Sequence, residues 1–267
     1  MVRTLPPRDS RQSRKTRTHP PRPSSQGKFH KFPLFPTLHL PGRFGWFLME
    51  IISPLVFSAQ TLPMLLDPST SLGWTTPKTI LTTLWLTHYL NRTVIYTLRA
   101  PSISPMHIFT FLAGILFNLA NAYTNGASLA RFGSYPNSML CSLRFWLGVT
   151  MWATGMAMNV HHDNILFRLR REQAVKAEKD GAHPNSNKTR YMIPRGSLFE
   201  LVSCPSYLSE TVEWLGYAVA AWSVPAWVFA AATPGNLFPR AWRAHGWYRQ
   251  TFKDYPKERK ALIPYVW

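Results

Sequence analysis

The chain reads Asn159-Val160-His161-His162-Asp163 where one apolar segment ends, and Leu208-Ser209-Glu210-Thr211-Val212-Glu213-Trp214 where the next one begins. Both segments are apolar enough to lie in a lipid bilayer, where polar side chains are costly and usually mark a functional site. Carboxylates, an amide and histidines thus stand beside membrane-compatible segments. This arrangement predicts a helical bundle that holds its chemistry between apolar spans.

The basic residues of the chain are grouped rather than spread. The formal charge of the 267 residues is +18, and the isoelectric point is near 10.4. A charge of this size suggests nucleic-acid binding when it covers a soluble surface. Here the Lys and Arg residues fall into three blocks, at residues 3–43, 168–195 and 240–260. Apolar runs of about 18 to 22 residues separate the blocks, which is long enough to cross a bilayer. We therefore predict a multi-pass membrane protein without a nucleic-acid partner.

The N-terminal residues differ in composition from the remainder. Residues 1-43 are rich in Pro, Ser, Arg and Lys and bury too little apolar surface to fold alone. We predict a disordered basic tail for residues 1-43 and one membrane-embedded domain for residues 44-267. Cys141 and Cys204 lack metal-ligand spacing, so neither a disulfide framework nor a metal site is predicted.

Six membrane spans are predicted from the apolar runs. They cover residues 44–66, 79–98, 106–123, 139–160 and two short spans within 207–238, divided at Ser223-Val224-Pro225. Basic loops stay on the cytosolic side of a membrane. A single last span would leave the basic block at 240–260 on the far side, so the division returns the C-terminus to the cytosol. The N-terminal tail, the loop at 168–195 and the C-terminus are all expected there.

Polar groups in the first two spans suit a buried site. Glu50 is the only charged residue of the first span. In the second span, Trp85, Tyr89, Arg92 and Tyr96 recur at helical spacing and share one face. The sequence has no Gly-x-Gly-x-x-Gly motif and no strand pattern, so a Rossmann domain is not expected. The predicted fold class is all-α.

Several motifs match those of a known family. They are Trp46-Phe47-Leu48-Met49-Glu50, His88-Tyr89-Leu90-Asn91-Arg92, Asn159-Val160-His161-His162-Asp163, Glu213-Trp214-Leu215-Gly216-Tyr217, Trp222-Ser223-Val224-Pro225, Phe252-Lys253-Asp254-Tyr255-Pro256 and Ala261-Leu262-Ile263-Pro264. On these residues the chain resembles the steroid 5α-reductase (3-oxo-5-alpha-steroid 4-dehydrogenase) family over residues 44 to 267. The family typically has seven spans, one of them before the first span predicted here, so the resemblance implies about six in this chain.

The resemblance implies an integral endoplasmic-reticulum enzyme. Such enzymes use NADPH to reduce the C4-C5 double bond of a 3-oxo-Δ4-steroid, so the implied partners are a steroid or other lipid enone and the bilayer, with no obligate protein partner. Hydride addition to an enone puts negative charge on the carbonyl oxygen, which then needs hydrogen-bond donors. By resemblance, Glu50 and Tyr89 are the catalytic residues that activate the 3-oxo group.

The cofactor would be held by helices and loops. Phosphate groups call for arginines with forked donors, and Arg168, Arg170, Arg171 and Arg190 are available in the basic loop. By resemblance, the cofactor-binding or site-supporting positions are Arg92, Tyr96, Asn159, Asp163, Arg170, Tyr191, Glu210, Trp214, Arg240 and Tyr248. The chain departs from the family at Met49, Ser206 and Ala244, where Gln, Asn and His are usual.

Two alternative functions stay open. The first is reduction of another lipid enone, such as a trans-2-enoyl-CoA, because both activities occur on related membrane folds. The second is a non-catalytic lipid-binding membrane protein that kept the fold. That second alternative predicts loss of the donors and phosphate ligands, whereas Glu50, Tyr89, Asn159, Asp163 and Glu210 are all present.

Overall fold

The structure is a computed structural model that describes residues 38–66, 74–179 and 191–267. Residues 1–37 of the predicted tail at 1–43, the connection at 67–73 and the loop residues 180–190, which include Arg190, lie outside the described residues. All statements below concern the described part of the chain.

Seven α-helices make up most of the described residues. They are α1 (Gly42–Leu66), α2 (Thr76–Leu90), α3 (Tyr96–Arg99), α4 (Ile108–Ala127), α5 (Leu143–Lys179), α6 (Pro205–Ala221) and α7 (Val224–Thr251). A π-helical turn, Asn91–Ile95, joins α2 to α3 without a break. The second predicted span, 79–98, thus forms one continuous helical segment.

One short strand pair departs from the sequence prediction. β1 (His39–Leu40) and β2 (Met106–His107) pair antiparallel, with His39 opposite His107. The pairing places the chain just before α1 beside the chain just before α4, a contact that no local strand pattern signals. The described residues contain no Rossmann-type sheet, so the all-α prediction is confirmed for this part of the chain.

The predicted division of the last apolar stretch is confirmed as a helix break. α6 ends at Ala221, and Trp222 takes a left-handed conformation with φ 50°. Ser223 then caps α7, since its Oγ accepts a hydrogen bond from the Ala226 N–H at 3.4 Å. Pro225 lies in the first turn of α7, where the lack of an N–H does not matter.

α5 is much longer than its predicted span. The apolar run predicts an end at Val160, but the helix continues to Lys179, so the first part of the predicted basic loop is helical. Neither Gly nor Pro interrupts residues 161–179, and Arg168 pairs with Glu172 one turn later, 3.9 Å away. Charge marks this segment as aqueous, but it does not stop the helix.

α5 and α6 pack closely through glycine. A Cβ added to Gly155 of α5 would lie 2.7 Å from the Cα of Glu213 on α6, and one on Gly216 of α6 would lie 2.7 Å from the Gly148 carbonyl oxygen on α5. Small residues that let helix backbones meet are typical of membrane helix pairs. This contact places the motif at residues 159–163 of α5 beside the motif at residues 208–214 of α6.

Aromatic rings fill the core. Trp85 of α2 stacks on Phe57 of α1 at 4.7 Å between ring centroids. It also meets Trp214 of α6 at 5.2 Å and Phe229 of α7 at 5.6 Å. Three helices, α1, α6 and α7, therefore contact one indole ring of α2. These contacts fix the position of α2 and of the polar residues that follow Trp85.

One described helix is long and apolar enough to cross a membrane. It is α1, and only 17% of its most apolar stretch is buried within the protein. The sequence predicts six spans, and among the described residues only the first of them, at residues 44–66, falls in a helix that meets this criterion, so the multi-pass prediction is not confirmed.

Candidate active site

The two predicted catalytic residues come from neighbouring helices. Glu50 lies half-buried on α1, and Tyr89 lies on α2 with 3% of its surface exposed. The Glu50 charge acts on the Tyr89 hydroxyl, and the side chains of Ser53 and Asn121 lie beside that hydroxyl. Packing of α1 against α2 thus brings together a carboxyl and a phenol that the sequence separates.

Arg92 is the centre of a charged cluster. Its Nη2 donates to Glu210 Oε2 at 2.9 Å, and its Nη1 donates to Asp163 Oδ2 at 3.4 Å. Asn159 Nδ2 donates to the same Glu210 oxygen at 3.5 Å, and Ser206 Oγ donates to Asp163 Oδ1 at 3.3 Å. Four of the predicted cofactor residues, Arg92, Asn159, Asp163 and Glu210, therefore form one connected network between α2, α5 and α6.

Aromatic rings cover the guanidinium of Arg92. Its Cζ lies 5.1 Å from the Tyr96 ring and 5.5 Å from the Trp46 ring. The Trp46 indole N–H also donates to the Arg92 carbonyl at 3.1 Å, and Phe167 packs on Tyr96 at 5.3 Å. Rings above a cation in a desolvated place strengthen its electrostatic interactions. Trp46 is a member of this site that the sequence analysis did not assign to it.

Asp163 borders a shallow, partly open cavity whose volume is about 200 Å³ including the solvent at its mouth. Asn91, Tyr96, Asn164 and Phe167 are among the other residues that line it. Burial raises the pKa of Asp163 to about 6, against the opposing effect of the Arg92 charge. The Asp163 carboxyl therefore depends on Arg92 for its charge near neutral pH.

The remaining predicted residues lie around this network. Arg170 donates to the Ser102 carbonyl at 3.1 Å, and its charge acts on Asp163 and Tyr96. The charge of Arg240 on α7 acts on Glu50. Arg170 and Arg240 thus add positive charge at two edges of the site.

Three predicted aromatic residues pack against residues other than Arg92. Tyr191 packs against Trp247 at 5.0 Å, and Tyr248 stacks on Tyr255 at 5.3 Å. Trp214 lies in the aromatic core, 6.0 Å from the Tyr89 ring. Trp214 is therefore positioned to support Tyr89.

A buried acid–histidine pair was missed by sequence reasoning. His88 Nδ1 lies 2.6 Å from Glu213 Oε1, and the two side chains are 3% and 0% exposed. The His88 ring also packs on Trp214 at 4.5 Å. The residues are 125 positions apart, and each falls in a motif that the sequence analysis quoted for other reasons. No spacing rule could have paired them.

A second missed group ties the C-terminal segment to α6. Ser203 Oγ lies 2.7 Å from His245 Nδ1 and 2.7 Å from the Tyr255 hydroxyl. The Ser203 N–H donates to the Lys260 carbonyl at 2.8 Å. Ser203 lies two residues before the start of α6 at Pro205, so these bonds hold the end of the helix that carries Ser206 and Glu210.

The fold and the cluster together define a class. An all-helical bundle with a buried charged network between its helices, and no dinucleotide-binding sheet in the described residues, differs from the soluble Rossmann-type dehydrogenases. Its site is built from helix faces, with a tyrosine and a carboxyl on one side of an arginine-centred network.

Comparison with known proteins gives the family. Residues 104–267 match the family model described as 3-oxo-5-alpha-steroid 4-dehydrogenase. The chain is 35% identical over 234 residues to 3-oxo-5-alpha-steroid 4-dehydrogenase 1 of Rattus norvegicus, covering 88% of this chain and 83% of that protein. It is 36% identical over 246 residues to 3-oxo-5-alpha-steroid 4-dehydrogenase 2 of Homo sapiens, covering 92% and 89%. The chain belongs to the 3-oxo-5-alpha-steroid 4-dehydrogenase family.

The family membership confirms the resemblance found in the sequence motifs. An uncharacterised protein of Schizosaccharomyces pombe is also 36% identical over 246 residues, covering 87% of each chain. The names of the rat and human relatives denote dehydrogenases, which places the chain in an oxidoreductase family.

Proposed function

We propose that this protein reduces the C4-C5 double bond of a 3-oxo-Δ4-steroid with NADPH as the hydride donor. Family membership and the names of the relatives support the substrate class. The observation that carries the proposal is that the charge of Glu50 on α1 acts on the buried hydroxyl of Tyr89 on α2, because enone reduction needs hydrogen-bond donors at the carbonyl oxygen.

In the proposed mechanism, Tyr89 and Glu50 act on the 3-oxo group. The Tyr89 hydroxyl and a protonated Glu50 carboxyl donate hydrogen bonds to the carbonyl oxygen. NADPH, when bound, supplies the hydride that adds to C5. Electrons of the double bond then move onto the oxygen, where the two donors stabilise the enolate until a proton reaches C4. A different enzyme, ketosteroid isomerase, also uses a tyrosine beside a neutral carboxylic acid to stabilise an oxyanion.

The polar network fits a nicotinamide dinucleotide by its chemistry. The Asn159 Oδ1 atom is buried without a hydrogen-bond partner among the described residues, so it is free to accept one from a ligand amide. Arg92 already donates to two carboxylates, so its role is to hold Asp163 and Glu210 in place. Phosphate groups then fall to Arg170 and Arg240. The proposed cofactor residues are these six with Tyr96, Tyr191, Trp214 and Tyr248.

A membrane setting with about six spans, in the endoplasmic reticulum, is part of the proposal. α4 supports it through an inverted distribution of polarity. Leu112, Leu116 and Phe117 are exposed, whereas Asn118, Asn121 and Asn125 are buried. In water such a helix would turn its apolar side inward, but in a bilayer it places leucines against lipid and amides inside. Basic loops and the C-terminus then lie in the cytosol.

The assay for this proposal uses microsomes that contain the protein, NADPH and a 3-oxo-Δ4-steroid. We expect loss of the enone absorbance, oxidation of NADPH and a 5α-reduced product. A trans-2-enoyl-CoA is tested in parallel as the alternative substrate. Failure to turn over either substrate class would overturn the enzyme proposal, and steroid binding without NADPH oxidation would favour a lipid-binding protein.

Variants test the roles of Glu50 and Tyr89 separately from the activity itself. We expect Tyr89→Phe and Glu50→Gln each to lower kcat by about a hundredfold, the usual cost of losing one oxyanion donor. Tyr123→Phe and Glu172→Gln are matched controls, because both side chains are exposed and remote from the network. Undiminished kcat in the Tyr89 or Glu50 variant would contradict the assigned role while leaving the activity in place.

A further inference from the structure

A second cavity lies at the other end of α2. It is open, has a volume of about 650 Å³ including solvent at its mouth, and is lined by Thr75, Lys78 and residues 132–136. Lys78 and Arg92 are 14 positions apart on one helical segment, which corresponds to roughly 20 Å. The cavity is therefore separate from the proposed active site.

Lys78 is the unusual feature of this cavity. It is only 7% exposed, and its Nζ donates to the Ala130 carbonyl at 3.3 Å. The Trp74 ring lies 6.0 Å from the same nitrogen. Within the described residues, no carboxylate oxygen lies within ion-pair distance of Lys78. Among residues 38–66, 74–179 and 191–267, this ammonium group with three donors thus has one neutral acceptor, the Ala130 carbonyl.

The helix makes the position of Lys78 more electropositive. Lys78 lies in the first turn of α2, which contains no acidic residue. The first turn is the positive end of the helix dipole, where an anion is stabilised and a cation is not. A buried charge is costly without a counter-charge, and the described residues supply none to Lys78, so an anion in the cavity would lower that cost. A lysine with a free donor in a concave site is a common phosphate ligand.

The surroundings of the cavity place it near the end of α1. Gly126 packs against Gln60 of α1, and the chain that follows Gly126 forms the cavity wall. Phe132 on that wall is 82% exposed, and Leu66 at the end of α1 is also exposed. Leu66 is the last residue of α1, and Phe132 is the last residue of the π-helical turn that follows α4, so the cavity lies among helix ends.

We propose that this cavity binds a phosphate group beside Lys78. The phosphate comes from a phospholipid headgroup or from free phosphate in solution, and the same contacts serve both. The site goes beyond the proposed reaction and does not depend on it, because none of its residues touches the Arg92 network.

The test measures the thermal unfolding of the purified full-length protein in detergent. Four additions are compared at matched ionic strength: dioleoyl phosphatidic acid, dioleoyl glycerol, inorganic phosphate and chloride. We expect phosphatidic acid to raise Tm by about 4 °C at saturation and dioleoyl glycerol, which lacks the phosphate, to leave it unchanged. An equal rise with inorganic phosphate identifies free phosphate as a sufficient ligand.

Variants assign the effect to the cavity. Lys78→Gln should abolish the rise in Tm, whereas Lys78→Arg should keep it. Lys176→Gln, which removes an exposed lysine on α5, is the matched control and should respond like the wild type. An equal rise in the wild type and in Lys78→Gln overturns the proposal, as does the absence of any rise in the wild type.

A second measurement covers the case in which Lys78→Gln does not fold. Wild-type protein is acetylated with and without phosphatidic acid or phosphate, and the modified lysines are read by mass spectrometry. Protection of Lys78 that exceeds protection of Lys176 supports the site. Equal protection of the two lysines, or no protection, contradicts it.

Discussion

Arg92 illustrates how a single residue organises the site. Its two terminal nitrogens reach carboxylates on different helices, Asp163 on α5 and Glu210 on α6. Its planar group is also covered by Tyr96 and Trp46. The forked, planar guanidinium makes these contacts simultaneously, whereas the point charge of a lysine cannot.

We therefore expect Arg92→Lys to raise KM for NADPH by about tenfold or more, because one of the two carboxylates loses its partner in a buried place. Steady-state kinetics with varied NADPH measures this change. Arg168→Lys is the control, since Arg168 is exposed and its only ion pair in the described residues is with Glu172, at 3.9 Å. Equal KM values for the two variants would contradict the proposed role of Arg92.

His162 is a buried residue with a different consequence. Its Nε2 lies 3.3 Å from Ser197 Oγ and its Nδ1 lies 3.4 Å from Ser209 Oγ. Burial, together with the smaller effect of the neighbouring His161 charge, lowers the pKa of His162 to about 4. The folded protein thus holds this imidazole neutral at a pH where the unfolded chain would protonate it.

The sign of the pH dependence follows from this difference. The unfolded histidine binds its proton near pH 6.5 and the folded one near pH 4, so the free energy of unfolding falls as the pH drops through this range. Unfolding of the purified protein between pH 7 and pH 5 should show this loss, at up to about 1.4 kcal/mol per pH unit. His162→Gln should show a flatter pH dependence, whereas His161→Gln, at an exposed position, should keep most of the wild-type slope, because burial is the larger cause of the lowered pKa of His162. A wild-type slope in His162→Gln would refute this explanation.

At the scale of elements, the contact between α5 and α6 carries the site. These two helices supply Asn159, Asp163 and Glu210, and Gly155 lies directly against the backbone of α6. The absence of a side chain at Gly155 therefore determines how closely the polar side chains of α5 and α6 approach each other. α2, which continues through its π-helical turn, then brings Arg92 between them.

Gly155→Ala should destabilise the protein by about 1–3 kcal/mol, because the new methyl group has no room beside Glu213. Thermal unfolding in detergent measures the loss. Gly235→Ala is a matched control within α7, since an added Cβ meets nothing within 4 Å there. The control should be neutral or slightly stabilising. Equal Tm values for the two variants would show that the helices adjust freely at Gly155.

At the scale of the whole molecule, the C-terminal segment packs against the segment that precedes α6. Val202 and Lys260 form a parallel bridge, and Arg259 is buried and donates to the Pro194 carbonyl at 3.1 Å. These contacts join the segment after α7 to the segment before α6. The long match of the C-terminal sequence to the family is thus consistent with a structural task for residues that lie outside the helices.

The proposed topology is tested on the whole molecule by cysteine labelling in sealed microsomes. In a background with Cys141 and Cys204 changed to Ser, a single cysteine is placed at Ser102 or at Ser138, both of which are exposed. With six spans, Ser102→Cys should react with a membrane-impermeant maleimide in intact vesicles. Ser138→Cys should react only after permeabilisation. Reaction of both in intact vesicles would contradict the proposed topology.

The sequence by itself determined the local features of this protein. Apolar runs located most of the helices, Ser223-Val224-Pro225 located the break between α6 and α7, and the short motifs located the polar residues of the candidate site. These features depend on neighbours within a few positions, so periodicity, proline and capping residues encode them. The same local view placed the end of α5 too early, because it took charged residues for a loop.

Only the tertiary structure decided which polar groups meet. Arg92 lies 71 positions from Asp163 and 118 from Glu210, and His88 lies 125 positions from Glu213. Many pairings of the available acids and bases are compatible with the same sequence pattern. The choice among these pairings depends on how closely α5 and α6 approach at Gly155. It also depends on the orientation of α2, which the packing of Trp85 fixes. Both are set by packing between distant segments, which a local pattern of residues does not contain.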